Sequence, residues 1–252
     1  MSEAVAYIPS RSLPAKLNRR LTQWRAARPA DLRFDAPILS ICFDDFPVSA
    51  AEAGARILES HGARGTFYAA AALAETDGPC GRNFSPAHAR ALAAAGHEIG
   101  CHTFEHEDCA AREAYATLQD IAKNRDALAA MGCAAAESLA YPYGETRVDL
   151  KKALPPRFAA ARGILPGLNV RRADLAQLRA YPLFGAGAMG RAHAALTQAA
   201  ARNAWMIAFT HDVSNDPSPW GTSEAALDRF IAAARAAGLR ILPVAEALKE
   251  RR

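Results

Sequence analysis

Short apolar runs alternate with helix-patterned segments along most of the chain, and this alternation restricts the fold more than any single motif. Ile38 to Phe43, Gly65 to Tyr68, His97 to Cys101, Ser138 to Tyr141, Phe158 to Arg162, Leu178 to Leu183, Trp205 to Thr210 and Leu239 to Leu242 read as strands. Helical patterns fill the gaps: Ala50 to Ser60, a segment opened by Ser85-Pro86 and stopped by Gly96, Ala110 to Met131, Val148 to Leu154, Ala192 to Arg202, and Thr222 or Ser223 to Ala237, with a final helix after Leu242. A strand that hands over to a helix and then to another strand must run parallel to it, as an open doubly wound sheet or a barrel. About seven or eight βα units favour a single TIM-like barrel. We therefore expect an α/β domain over residues 38–252, preceded by a helical extension over residues 1–37.

Bulk properties narrow the function classes. With 51% apolar and 22% charged residues the composition is that of an ordinary globular protein, and a net charge of +4 is too small to imply a nucleic-acid partner. Five cysteines (Cys42, Cys80, Cys101, Cys109, Cys133) form no C-x-x-C pair and argue for reduced thiols. No apolar run has signal-peptide or membrane-spanning length, so the expected location is cytoplasmic. Residues 11–28 hold six basic side chains and no acidic one, with Leu13, Leu17, Leu21 and Trp24 at helical spacing. The expectation is that this stripe packs on the main domain. The competing reading is peripheral attachment to an anionic inner-membrane surface.

Four polar constellations stand at predicted strand ends: Asp44-Asp45, His102 with His106, Tyr141-Pro142-Tyr143-Gly144, and Thr210-His211-Asp212. Two histidines four apart share a face if their segment is helical, and imidazole is a common zinc ligand. Adjacent carboxylates repel unless a cation or proton compensates one of them, and beside a metal one can ligate while the other acts as base. In a parallel barrel all strand C-termini meet on one face, where active sites assemble.

The order Phe-Asp-Asp, Gly-His-Glu-Ile-Gly-x-His-Thr-x-x-His, Tyr-Pro-Tyr-Gly and Thr-His-Asp resembles the polysaccharide deacetylase family. This is the NodB-homology group, or carbohydrate esterase family four, and the resemblance covers about residues 38–248. It implies a distorted β/α barrel that hydrolyses N- or O-acetyl groups on sugars with a divalent metal, usually zinc, with cobalt as an alternative. On this resemblance Asp45, His102 and His106 are the metal ligands and Asp44 the general base. The Tyr143 backbone N–H helps hold the oxyanion, Pro142 stiffens its turn, and His211 is the general acid. Two family elements are missing. Ala140 stands where many members carry an arginine that steers the base, with Arg162 and then Arg179 as candidate replacements. No Asp-x-x-Asp-Trp segment orients the acid histidine, for which Asp174 and Trp220 are candidates.

The implied substrate is an N-acetylated sugar in a polysaccharide or its lipid-linked precursor, as in cytoplasmic exopolysaccharide or holdfast-type synthesis. Alternatives are a metal-dependent amidohydrolase acting on a small non-sugar amide, and a barrel that binds carbohydrate without catalysis. Gly185 to Gly190 matches G-x-G-x-x-G, but too little chain follows for a nucleotide domain, so it is expected to be a loop at the barrel mouth. Cys109, three residues after His106, is expected to be a buried inert thiol, and His97 a structural hydrogen-bonder beneath the site.

Overall fold

The computed structural model describes residues 12–154 and 157–252. Its centre is a curled parallel sheet of β1 (Ile38–Asp44), β2 (Thr66–Ala69), β3 (Glu98–Cys101), β4 (Ser138–Ala140), β5 (Ala160–Arg162), β6 (Tyr181–Pro182) and β7 (Trp205–Thr210). Their spatial order is β6-β7-β1-β2-β3-β4-β5. A short β8 (Arg240–Ile241) pairs with Ile38 and Leu39, whereas β2 takes the other end of β1 from Cys42 to Asp44. The two edges meet through a parallel bridge between Arg162 and Leu178. The result is the expected (β/α) barrel, distorted where neighbours share only part of a strand.

Every residue of β1 and β7 is buried, because both faces of these central strands are covered. Strand parity divides their side chains. Leu39, Ile41, Phe43, Met206 and Ala208 pack beneath the helices, while Ile38, Cys42, Trp205, Ile207 and Phe209 join Tyr68, Ala140, Ala160 and Leu178 inside the ring. Beyond the N-terminal helix α1 (Leu13–Trp24), the outer layer comprises α2 (Ala55–Ser60), α3 (Pro86–Ala94), α4 (Ala114–Ala130), α5 (Val148–Ala153), α6 (Ala188–Arg202), α7 (Glu224–Ala236) and α8 (Val244–Lys249). A π-helical turn, Ala50–Gly54, leads into α2. The cap at α3 is as expected: the Ser85 hydroxyl takes the His88 N–H, and Pro86 occupies the first turn.

Two elements depart from the sequence expectations. The strand expected over Leu178 to Leu183 shrinks to Tyr181–Pro182, since the N–H groups of Leu178 and Ala180 turn to the carbonyls of Ala161 and Leu165 instead of to β7. An antiparallel ribbon, Pro29–Leu32 with Arg171–Asp174, also escapes the pattern, because its residues are mostly polar or exposed and carry no alternation.

The N-terminal helix Leu13–Trp24 forms, but the other way round from the packing expectation. Leu13, Leu17, Leu21 and Trp24 are 80%, 59%, 41% and 85% exposed, and Thr22 is the buried residue of the helix. Arg11, counted with the basic cluster, lies outside the described residues. The helix is fastened by polar contacts. The buried Lys151 ammonium donates to the carbonyls of Thr22 and Arg25 and to Gln177 Oε1, and lies 2.7 Å from Asp174 Oδ2. A cation at a helix C-terminus is well placed against the helix dipole. Asp174 in turn accepts the backbone N–H of Ala27 and Arg28, and Arg19 pairs with Glu145.

Lys151→Met should therefore destabilise the protein by about 3 kcal/mol, because it leaves Asp174 without its cation. Urea unfolding would measure the loss, and limited proteolysis should show faster cleavage within residues 12–28.

Candidate active site

The last residue of β1, Asp44, follows the parity that points Ile38 and Cys42 into the ring. Asp45 then adopts a left-handed backbone, φ 57°, so the adjacent carboxylates diverge towards different partners. Asp44 Oδ1 accepts a hydrogen bond from Arg162 Nη2, which reaches it from the end of β5. Arg162 is 1% exposed, and its guanidinium lies 4.8 Å from the Tyr68 ring and 4.9 Å from the Phe209 ring. Burial pushes the Asp44 carboxyl up, but Arg162, His102 and His211 together outweigh it and hold the group below the usual carboxylate range. Asp44 is therefore an anion inside the barrel mouth. Of the two arginine candidates, Arg162 is the one brought to it; Arg179 donates instead to the Pro166 carbonyl.

Asp45 faces the two histidines. Its Oδ1 lies 3.5 Å from His102 Nε2 and 3.1 Å from His106 Nε2, and the three donor atoms fall within 4.8 Å of one another. His102 Nδ1 donates to the Ala140 carbonyl at 2.8 Å, which leaves the Nε2 lone pair directed at the cluster. Burial lowers both imidazoles to about 4, so both are neutral near pH 7. Burial also raises the Asp45 carboxyl, and Asp45 Oδ1 has no hydrogen-bond partner. An unpartnered buried carboxylate oxygen beside two neutral imidazoles lacks a positive charge. The set fits a divalent cation such as zinc.

The histidines do not converge by a helical turn, as their spacing had suggested. They sit on a loop after β3 in which Thr103 (φ 62°) and His106 (φ 55°) are left-handed. The buried face of α4 holds that loop. Asp120 accepts the backbone N–H groups of Phe104 and Glu105 at 2.7 and 3.2 Å. One turn further on, Asn124 takes the N–H of Ala71 and donates to the Ala69 carbonyl and Cys101 Sγ. Sequence reading passed over both residues. Their available signal was a carboxylate and an amide four apart on the inward face of a helix.

Across the mouth, His211 follows β7. Its Nδ1 lies 3.2 Å from the Trp220 carbonyl, which also accepts His211 N–H and the Thr210 hydroxyl. A carbonyl can only accept, so the neutral ring carries its proton on Nδ1 and Nε2 is the position open to exchange. Trp220 thus orients the histidine through its main chain. Asp174, the other candidate orienter, is committed to Lys151 and the backbone N–H groups of Ala27, Arg28 and Ala176. Phe184, unmarked by any motif, packs in a T-shaped contact with His211, the ring centroids 5.4 Å apart. Tyr143, in the turn Pro142–Gly144, has φ 59° and sets its ring 4.8 Å from that of His106. Cys109 is buried and lies outside the three-residue cluster, and His97 accepts the Gly65 N–H beside Glu59.

Zinc titration against a competing chelator should show the largest affinity loss for His102→Ala and Asp45→Ala. Asp120→Ala should lose about tenfold or more through the slackened loop, as is usual for groups that position ligands. Asp44→Asn should retain the ion.

The polysaccharide deacetylase family model matches residues 32–155, a stretch that includes Asp44, Asp45, His102, His106 and Tyr143 but ends before Arg162 and His211. No curated protein matches the chain significantly. Several solved structures share its fold. A chitin deacetylase from the fungal pathogen Colletotrichum lindemuthianum superposes with TM-score 0.64 at 17% identity, covering 87% of this chain and 91% of its own. A family 4 carbohydrate esterase from Streptomyces lividans, in complex with acetate, gives 0.57 at 17% identity over 87% and 97%. A mutant of a CE4 family pseudoenzyme with restored enzymatic activity gives 0.55 at 15% identity over 87% and 70%. Motif order, barrel and site geometry agree with that match, which makes residues 32–155, just under half of the chain, similar to the polysaccharide deacetylase family.

Proposed function

We propose that this chain is a metal-dependent hydrolase that removes N-acetyl groups from an N-acetylated sugar in a polysaccharide or its lipid-linked precursor. One observation carries the reading: a largely enclosed Asp45, His102 and His106 cluster, with His102 fully buried, adjoins an ionised Asp44, with His211 Nε2 open to proton exchange across the same mouth. Asp45, His102 and His106 would hold a divalent cation, zinc or cobalt, whose Lewis acidity polarises the acetyl carbonyl and acidifies water.

The chain's own groups move the protons. Asp44, kept charged by Arg162, takes a proton from the attacking water. The Tyr143 backbone N–H would donate to the oxygen on which negative charge develops. His211, its Nδ1–H fixed on the Trp220 carbonyl, delivers a proton from Nε2 to the departing amine. The five free thiols support a reducing compartment, where precursors of an exopolysaccharide rather than the finished polymer would be met.

Acetate release from N-acetylglucosamine oligomers tests the reading. The zinc-loaded protein should release acetate, lose that activity on chelation and regain it on zinc add-back. Asp44→Asn should cut kcat by about a hundredfold or more while zinc stays bound. Release from small non-sugar amides but not from the oligomers would reassign the substrate class, and unchanged turnover in Asp44→Asn would remove the base assignment.

In the same assay, Gly100→Ala reports on the support beneath Arg162. A Cβ at Gly100 would stand 2.5 Å from the Tyr68 ring, which packs against the Arg162 guanidinium. The expected outcome is a lower kcat with little change in zinc affinity.

A further inference from the structure

We propose that the outward face of the N-terminal helix Leu13–Trp24 seats the protein on an anionic lipid surface. The proposal concerns a face apart from the catalytic mouth and does not depend on the reaction assigned there.

At about 100° per residue, Leu13, Leu17, Leu21 and Trp24 fall on one narrow arc of the helix. All four are exposed, Leu13 and Trp24 almost fully. A solvent-facing helix of a globular domain normally turns such a stripe inwards. Here the inward side carries Thr22 and the partly buried Ala15, Asn18 and Arg19, and the attachment is made by Lys151, Asp174 and Glu145 rather than by apolar packing. The helix is thus held firmly to the barrel with its apolar residues outside.

Charge decides between occupants. Lys16, Arg20 and Arg25 are exposed in or beside the arc, and no acidic residue occurs anywhere in residues 11–28. A second copy docked by two-fold symmetry would set these cations against their own kind and offer no carboxylate from the same segment. A bilayer with anionic headgroups offers the complement to both features: negative charge for the basic rim and an acyl boundary for the leucines. Trp24, projecting at the helix end, suits the headgroup level where tryptophan concentrates. Among the described residues no helix is long and apolar enough to cross a membrane, so the mode of contact is in-plane and peripheral.

Co-sedimentation of the full chain with vesicles tests this. Vesicles of phosphatidylcholine mixed with phosphatidylglycerol should pellet the protein, and phosphatidylcholine alone should not. Raising the salt should weaken the pelleting, because part of the attraction is screened charge. Leu17→Gln with Trp24→Gln should lower vesicle affinity about tenfold or more, since both side chains leave water on binding. Both positions are exposed, so the double variant should keep the wild-type unfolding midpoint and its acetate release from soluble oligomers.

Wild-type protein left in the supernatant with anionic vesicles overturns the proposal, as does equal pelleting of the double variant. Concentration-dependent dimerisation that disappears in the double variant, without vesicle binding, would assign the face to a second copy and likewise overturn it. None of these results touches the deacetylase reading, which has its own assay.

Discussion

The ion pair between Asp44 and Arg162 is the interaction on which the rest of the site depends. Its partners lie 118 positions apart in sequence, at the ends of β1 and β5, and both are nearly inaccessible to water. Burying two charges is costly unless each is closely compensated. Here the guanidinium meets the carboxylate directly, donates to the Gly163 carbonyl and packs against Tyr68 and Phe209. Tyr68 can take its place because Gly100, on the neighbouring strand, presents no side chain to its ring. A glycine on β3 therefore supports an aromatic ring on β2, which supports the charge that keeps Asp44 ionised.

That arrangement lets two adjacent aspartates do different work. Asp44 is held as an anion by an arginine, whereas Asp45 turns to a pair of neutral imidazoles and carries an unpartnered oxygen. The divergence is a matter of backbone conformation. Asp45, Thr103, His106 and Tyr143, all at the mouth, have left-handed φ values. Each costs about 1 kcal/mol or more in a non-glycine residue, and such conformations persist only where surrounding structure holds them. Asp120 does so for the histidine loop through two backbone hydrogen bonds.

How much of this was legible in the sequence depended on whether the information lay in side-chain identity or in main-chain geometry. The fully buried runs of β1 and β7 could be read because uninterrupted apolar segments between helices have few other uses. The cluster of Asp45, His102 and His106 could be read because carboxylate and imidazole are chemically specific. The left-handed loop that joins His102 to His106 could not, since the spacing equally suits a helix. Trp220 was marked as a candidate orienter of His211, yet the contact is made by its carbonyl, which any residue type can supply. For the N-terminal helix, periodicity revealed a stripe but not the side it would face. The deciding contact, Lys151 on the carbonyls of Thr22 and Arg25, comes from a residue more than a hundred positions away.

The placement of Arg162 has a final consequence. It ends β5 and also forms the bridge to Leu178 that joins the two edges of the sheet. Any local opening there would withdraw the guanidinium from Asp44 and leave its carboxyl to the burial that favours protonation. The charge state of Asp44 is thereby tied to an intact ring: the joint serves as a fuse, and a chain that has not closed, or has come apart, keeps Asp45, His102 and His106 without an ionised Asp44 beside them.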